Sequence, residues 1–215
     1  MHIDIDYFAL DQFIPQKADD FPSRSAFLHY KAQCIAAQRD HLLSHWLQRP
    51  VTTQDIARSP RGKPYWREDA SIAFNHSHSQ GHYALAKSNT VLDLGIDLED
   101  LKREVRFEAL AQHAFHAAEY QHWQDLNCDP HYWFKVWTCK EAVLKASGLG
   151  IGLSLKTLNT QVMPTAAKGQ CLHDAIGHFC YQHLQCAASM LCVAWRLPAS
   201  ASATWPEITL RQHLG

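Results

Sequence analysis

Hydrophobic and polar positions follow one another along this chain in an order that predicts helix, strands, helices and again strands. Residues 25–48 carry apolar side chains at helical spacing, and Pro50 follows them. A second helical region is predicted from Glu104 to about Leu126. A further helix is predicted from about Pro130 to Ser147, where Gly148 ends it. Each helical region is followed by short apolar runs that are typical of strands.

The predicted strands form two sets. The first is Ser71–Phe74, His82–Lys87 and Val91–Leu98, with a hairpin turn at Ser88-Asn89 between the last two; the second is Leu153–Val162, His178–His183 and Met190–Arg196. The segment RSPRGKPYW (58–66) contains two prolines and a glycine, and it is predicted to be irregular. The tail after about residue 198 is rich in Ala and Ser, and we expect it to be loosely held.

This order of elements indicates an α+β fold with two α+β halves. We place the boundary close to residue 101, so that residues 1–101 form an N-terminal half and residues 102–215 a C-terminal half. The two halves share no repeat at the level of residues. Any symmetry between them is therefore expected in structure only.

Composition favours a soluble, cytoplasmic protein. Hydrophobic residues make up 47% of the 215 positions and charged residues 19%. No apolar run approaches the length of a membrane span, and the acidic start MHIDIDYFALDQF does not resemble an export signal. Seven cysteines without a CxxC pair argue against a disulfide framework or a structural zinc module.

Charge is distributed unevenly along the chain. Residues 24–67 contain eight Lys and Arg but only two Asp, whereas residues 93–129 contain nine acids and three bases. The basic segment suits an anionic ligand or an acidic partner, and the acidic segment suits a metal ion. Nucleic-acid binding is not expected, because the isoelectric point is near 6.9.

Two short segments carry the clearest candidate chemistry. Asp97 and Glu99 stand two residues apart in GIDLED, so on a strand their carboxylates share one face. Glu141 and Lys145 stand four residues apart in KEAVLK, so on a helix they also share one face. Either pair alone is often a solvated surface feature. Together they predict a divalent cation that holds a phosphorylated substrate.

The histidines of NHSHS allow a second interpretation. His76 and His78 would place two nitrogen ligands on one face of a strand, as in a zinc site. No further Cys or His stands at a convincing ligand spacing, and we therefore favour local hydrogen bonding or a surface position for His76 and His82 over a zinc site.

Four segments, in this order and spacing, resemble the 4′-phosphopantetheinyl transferase superfamily. They are RGKPYW (61–66), FNHSHSQGHYALA (74–86), GIDLED (95–100) and FKVWTCKEAVLKASGLGIG (134–152), and FHAAEY (115–120) is similar to the family's Phe-x-x-x-Glu segment. The resemblance covers roughly residues 24–160. It is to the larger branch, the type that activates surfactin synthetase. It implies a monomeric pseudo-dimer of two similar halves with the active site in the cleft between them.

The resemblance implies an enzyme, a holo-acyl-carrier-protein synthase. Such enzymes transfer the 4′-phosphopantetheine arm of coenzyme A to a serine of an apo acyl- or peptidyl-carrier protein and release 3′,5′-ADP. Asp97, Glu99 and Glu141 would bind Mg²⁺, and Glu141 would also deprotonate the carrier serine. Lys145 would contact the pyrophosphate.

The resemblance also assigns residues to the nucleotide part of coenzyme A. They are Arg39 at the 3′-phosphate, Lys63, Ser77 and His78. Where some relatives carry a lysine pair before the arginine, this chain has Ser23 and Ala26, and Arg24 is the candidate substitute. Lys140 is either an accessory phosphate contact or a structural lysine.

Two other functions remain open at this stage. A metal-dependent pyrophosphohydrolase of nucleotide substrates would use the same carboxylates but would modify no protein. A non-catalytic module that binds coenzyme A or a carrier protein would keep its function after Glu141→Gln. The basic first half is expected to attract acidic carrier proteins.

Overall fold

The computed structural model describes residues 1–186, 188–198 and 205–213 and confirms the α+β class. Its helices are α1 (Arg24–Leu47), α2 (Phe107–Ala114), α3 (Ala117–Asp125) and α4 (Pro130–Ser147). Its strands are β1 (His2–Ala9), β2 (Ile56–Arg58), β3 (Pro64–Trp66), β4 (Ala73–His78), β5 (His82–Ser88), β6 (Gly95–Asp100), β7 (Lys168–His173), β8 (Gly177–Cys186), β9 (Ser189–Arg196) and β10 (Glu207–His213). Among these helices, none has the length and apolar character needed to cross a membrane.

Two four-stranded sheets form the centre of the protein. The first sheet has the order β10-β1-β5-β4 and the second the order β6-β9-β8-β7. β10 pairs with β1 in parallel, and every other pairing in the two sheets is antiparallel. In the first sheet, β1 precedes α1 and pairs with β5, the second strand of the hairpin β4-β5. In the second sheet, β6 precedes α4 and pairs with β9, the second strand of the hairpin β8-β9. The strand order β1-β5-β4 thus matches the order β6-β9-β8.

The core is arranged in layers that follow the alternation of side chains along the strands. Residues such as Ile5, Ile96 and Val193 pack between the two sheets. Leu43 of α1 belongs to a second cluster on the other face of the first sheet, and α2, α3 and α4 cover the other face of the second sheet around Trp133. The residues of β6 therefore lie between the first sheet and α4.

Helix α4 lies very close to β6. Asp129 caps its N-terminus by accepting from two main-chain nitrogens, and Gly148 ends it with a positive φ of 73°. A Cβ added at Gly95 of β6 would lie 2.2 Å from the carbonyl oxygen of Ala142 and 2.4 Å from the nitrogen of Ala146. Only glycine permits this approach, which brings the polar side of α4 against the carboxylates of β6.

The predicted hairpin at Ser88-Asn89 is wrong. The hairpin of the first sheet joins β4 to β5, while β6 pairs with β9 in the second sheet. The predicted helix from Glu104 to Leu126 is two helices, because Phe115 is extended and His116 begins α3 with a capping box to Glu119.

Three further predictions need correction. The segment 58–66 is not wholly irregular, because β3 lies in it and pairs with β2. Residues 153–162 form no strand, since two of their carbonyl oxygens bind the Lys140 ammonium rather than a neighbouring strand. The tail after residue 198 is not loosely held at residues 207–213, where Ile208 and Leu210 pack between the sheets; residues 199–204 lie outside the described residues. The boundary at residue 101 stays a prediction, and β6 and β10 each join the sheet of the other half.

Candidate active site between β4, β6 and α4

β6 is an edge strand of the second sheet, and its outer edge is hydrogen-bonded by side chains of residues 75–79. Asn75 Oδ1 accepts from the main-chain nitrogen of Ile96 at 3.0 Å, and Ser79 Oγ accepts from that of Asp100 at 3.0 Å. These contacts replace a strand partner along this edge. They align the serines of NHSHS with the carboxylates of GIDLED.

Asp97, Ser77 and Lys145 form the centre of the site. Lys145 Nζ donates to Asp97 Oδ1 at 2.6 Å and to Ser77 Oγ at 2.8 Å, and the Ser77 hydroxyl donates to the same carboxylate oxygen at 2.8 Å. Asp97 is only 6% exposed. Its other oxygen, Oδ2, is buried and has no hydrogen-bond partner within the described part of the chain. This oxygen is therefore free to bind a cation.

Glu99 lies two residues further along β6 and has three partners. One Arg103 nitrogen donates to both carboxylate oxygens, at 2.9 and 2.8 Å, and Trp137 Nε1 donates to one of them at 3.2 Å. Ser79 Oγ donates to the other oxygen at 3.1 Å. Burial, and next the charge of Asp97, raise the pKa of Glu99 to about 7.

Glu141 lies on the same face of α4 as Lys145. It is partly exposed, and its pKa is raised first by burial and then by the charge of Asp97, while Lys145 lowers it. Glu141, Lys145 and Leu144 line a cavity of about 330 Å³ together with residues after α4. The charge of Asp97 thus acts on both Glu99 and Glu141.

Three carboxylates with a free buried oxygen fit Mg²⁺ well. Mg²⁺ prefers a small number of carboxylates together with phosphate oxygens and water. Asp97, Glu99 and Glu141 are donors of this type and would hold the ion, which would relieve the repulsion between Asp97 and each glutamate.

The other end of the site is basic. Burial, and next the charges of Arg39 and Lys145, lower the pKa of His76 to about 3. The pKa of the exposed His78 is also lowered, first by desolvation and then by the charge of Lys31. Positive charges thus surround the two histidines, which favours an anion at this place.

Lys63 reaches across to the end of α4. Its Nζ donates to the carbonyl oxygen of Ala146 at 2.6 Å, and burial lowers its pKa to about 8. Lys63, His76 and Lys145 line a cavity of about 230 Å³ between the 61–64 loop and α4. Because Lys145 lines this cavity and also the one beside Glu141, the basic and acidic ends of the site are adjacent.

Arg39 and Arg24 are placed differently. Arg39 is buried on α1 and pairs with its neighbour Asp40 at 2.6 Å, and its charge acts on His76. Arg24 is exposed at the first turn of α1, about 22 Å along the helix axis from Arg39. That Arg24 takes the place of the missing lysine pair at positions 23 and 26 stays a prediction. The charge of Lys31, two turns before Arg39, acts on His78.

Sequence reasoning missed Lys31, Arg103 and Trp137. Trp137 stands four residues before Glu141, so the spacing that pairs Glu141 with Lys145 could have included it.

Lys140 is structural. It is fully buried, pairs with Glu119 of the FHAAEY segment at 2.7 Å and binds carbonyl oxygens of residues 155 and 158.

Comparisons with known proteins identify the family of this chain. A family model described as the 4′-phosphopantetheinyl transferase superfamily matches residues 93–194, which hold Asp97, Glu99, Glu141 and Lys145. The 4′-phosphopantetheinyl transferase HetI of Nostoc sp. is 38% identical over 110 residues, covering 49% of this chain and 46% of the relative. The 4′-phosphopantetheinyl transferase psf-1 of Bacillus pumilus is 31% identical over 127 residues, covering 57% and 52%.

A longer match extends over both halves of the chain. A Haemophilus influenzae protein, named provisionally as a 4′-phosphopantetheinyl transferase, is 30% identical over 170 residues, covering 74% of this chain and 68% of the relative. The matches to HetI and psf-1 span about half the length of those relatives. The resemblance in the motifs is confirmed, and this chain belongs to the 4′-phosphopantetheinyl transferase superfamily.

Proposed function

We propose that this protein transfers the 4′-phosphopantetheine arm of coenzyme A to a serine of an apo acyl- or peptidyl-carrier protein and releases 3′,5′-ADP. One observation carries the proposal. A carboxylate site with the free oxygen of Asp97 lies directly beside a basic cavity, and Lys145 belongs to both. A pyrophosphate needs both kinds of site, since its charge must be neutralised while one bridging bond breaks.

Asp97, Glu99 and Glu141 would hold Mg²⁺, which when bound supplies charge neutralisation for the pyrophosphate. The chain's own residues orient the substrate. Asp97 and Ser77 hold Lys145 between the acidic and the basic ends of the site, where its ammonium can donate to a pyrophosphate oxygen. Trp137 and Arg103 hold the Glu99 carboxylate in a fixed orientation.

Glu141 is the proposed proton acceptor. The carrier serine attacks the phosphorus that bears the pantetheine arm, its proton passes to the Glu141 carboxylate, and the bond to 3′,5′-ADP breaks. A raised pKa makes Glu141 a better base than an ordinary carboxylate near neutral pH. Leu144, in the lining of the same cavity, excludes part of the water.

The nucleotide end of coenzyme A is proposed to lie on His78, Lys63 and the basic side of α1. His78 is exposed and its pKa is lowered, so near neutral pH it is an uncharged hydrogen-bond donor. Lys31 and Arg39 supply charge for the 3′-phosphate.

The two halves are proposed to form a pseudo-dimer with the active site in the cleft between them. The matching strand orders of the two sheets and the equivalent positions of α1 and α4 support this arrangement. We further propose that the protein acts as a monomer in the cytoplasm, and that its basic first half attracts acidic carrier proteins.

The test is to weigh intact apo-carrier proteins after incubation with the protein, Mg²⁺ and coenzyme A. We expect a mass gain of one phosphopantetheine group that EDTA abolishes. Glu141→Gln should slow the gain on the order of 10²–10³-fold, as for loss of a group that acts on the transition state. Glu207→Gln, an exposed glutamate on the far edge of the first sheet, is the matched control and should leave the rate unchanged.

Three outcomes would contradict the proposal. Cleavage of coenzyme A without a mass gain on any acyl- or peptidyl-carrier protein would indicate a pyrophosphohydrolase. Binding of coenzyme A without cleavage or transfer would indicate a binding module. A mass gain that is equal for the wild type and Glu141→Gln would remove Glu141 from the mechanism.

A further inference from the structure

A second group of ligand-type side chains lies inside the protein, between α4 and the second sheet. Cys139 of α4, His183 of β8 and Cys192 of β9 each offer one ligand atom, and these atoms lie within 4.8 Å of one another. All three residues are buried, and both cysteines have no exposed surface. His183 and Cys192 stand opposite each other on neighbouring strands, so both side chains point toward α4.

The hydrogen bonding of His183 leaves one of its ring nitrogens available to bind a metal ion. Nε2 lies 2.9 Å from the carbonyl oxygen of Lys135. A carbonyl oxygen can only accept, so Nε2 carries the proton and Nδ1 holds the lone pair. Nδ1 is buried and has no hydrogen-bond partner among the residues that the structure describes. Metal-binding histidines typically show this arrangement, with the second nitrogen donating to a main-chain carbonyl.

A buried positive charge lies beside the group. The Lys135 ammonium donates to the carbonyl oxygens of Met163, Pro164 and Ala166 at 2.8–3.0 Å, and no ion pair joins it to a carboxylate in the described ranges. Lys135 stands one helical turn before Cys139 and is 5% exposed. A buried cation with only neutral partners favours negative charge nearby. Burial lowers the pKa of the Lys135 ammonium, and negative charge on the sulfurs of Cys192 and Cys139 would raise it.

We propose that Cys139, His183 and Cys192 bind one Cu(I) ion in a three-coordinate site. Two thiolates and a neutral imidazole around Cu(I) carry a net charge of −1, which balances Lys135. With Zn²⁺ the same ligands would be neutral and would leave Lys135 unbalanced. Zn²⁺ also requires a fourth ligand, and the group contains three in the part of the chain that is described. Thiolates select soft ions such as Cu(I).

Binding exchanges protons for the metal and needs no oxidant. Cu(I) enters as a singly charged ion, the two thiols lose one proton each to solvent, and His183 keeps its Nε2 proton. The complex joins α4 to β8 and β9 from the side of α4 opposite Glu141. It is therefore a site separate from the carboxylates, and it does not depend on the proposed transferase activity.

The experiment is a titration of the reduced, full-length protein with Cu(I) under oxygen-free conditions against the chelator bicinchoninate. Cys34→Ser and Cys128→Ser remove the two cysteines that are not buried, so that they cannot bind copper. Because the site is buried, the protein is also refolded in the presence of Cu(I). We expect one Cu(I) per chain, two sulfur ligands and one nitrogen ligand by X-ray absorption, and a higher thermal midpoint with copper.

Matched variants separate the site from general thiol binding. Cys192→Ser and Cys139→Ala should each lower the Cu(I) affinity by about 100-fold or more. Cys180→Ser, a buried cysteine of β8 in the other core cluster, should not lower it. Circular dichroism of each copper-free variant shows whether it folds. Absence of stoichiometric Cu(I) after refolding, equal binding by folded Cys192→Ser, or tighter binding of Zn²⁺ than of Cu(I) would overturn the proposal.

Discussion

Helices α1 and α4 each pack on the outer face of one of the two sheets, yet they hold their candidate site residues in different ways. Twelve of the 18 residues of α4 are buried, and its lysines 140 and 145 are fixed by carboxylates. Only four of the 24 residues of α1 are buried, and its one buried charge, Arg39, pairs with the next residue. The proposed proton acceptor Glu141 therefore lies on a largely buried helix, whereas the proposed nucleotide contacts Lys31 and Arg39 lie on a more solvated one.

The largest expected effect concerns the buried ion pair of α4. Lys140→Met leaves the Glu119 carboxylate buried without its partner, and we expect it to lower the free energy of unfolding by about 3–5 kcal/mol. Arg24→Met, on the exposed start of α1, should change it by less than about 0.5 kcal/mol. Urea denaturation of both variants measures the difference. Unchanged stability of Lys140→Met together with weaker coenzyme A binding would instead make Lys140 a phosphate contact.

The second-largest loss of stability is expected at Gly95, where α4 approaches β6 closely. Gly95→Ala places a methyl group against main-chain atoms of Ala142 and Ala146, and we expect a loss of about 3 kcal/mol of stability together with loss of transfer. Gly81→Ala is the control, because its Cβ would meet only Asp100 Oδ2, at an ordinary 3.6 Å. An equal change in stability and transfer for Gly95→Ala and Gly81→Ala would show that the close contact between Gly95 and α4 does not fix the helix.

The pH dependence of the carboxylate site is expected to be smaller. The folded-state pKa of Glu99, about 7, lies above the ordinary 4.5, so the folded protein holds this proton more tightly than the unfolded chain does. The stability that Glu99 contributes is full below pH 4.5 and is lost as the pH rises to about 7. We expect a loss on the order of 2–3 kcal/mol, since each pKa unit corresponds to about 1.4 kcal/mol.

The measurement is the thermal midpoint of EDTA-treated protein between pH 4.5 and 8, compared with that of Glu99→Gln. The variant should lack this component of the pH dependence. Mg²⁺ should restore stability above pH 7, because it binds the deprotonated carboxylates. Parallel curves for the two proteins would show that Glu99 has an ordinary pKa.

The smallest effect concerns the nucleotide end on α1. Lys31→Met should weaken coenzyme A binding about tenfold, the amount expected for one charge-assisted hydrogen bond, and should leave dephospho-coenzyme A binding unchanged. Arg24→Met should affect neither ligand. Calorimetric titration with both ligands decides whether Lys31 or Arg24 provides the charge that the sequence lacks at Ser23 and Ala26.

Local spacing correctly predicted which of the candidate site side chains share a face. Glu141 and Lys145 share a face because both lie on one helix, and Asp97 and Glu99 share a face because both lie on one strand. The sequence could not predict that β6 would join the second sheet, since strand exchange depends on contacts far apart in the chain. Residues 153–162 were predicted as a strand from apolar alternation, but a buried lysine binds their carbonyl oxygens instead. The apolar side chains of Ile208 and Leu210 could have predicted β10, because both pack between the sheets.

The proposed function requires that the acidic groups of β6 and α4 and the basic groups of α1 act on one ligand. Binding of Mn²⁺, followed by electron paramagnetic resonance with and without coenzyme A, tests it directly. Coenzyme A should tighten Mn²⁺ binding about tenfold or more, a coupling of about 1.4 kcal/mol, and Glu141→Gln should reduce that coupling. An affinity for Mn²⁺ that coenzyme A does not change would show that the two groups form separate sites.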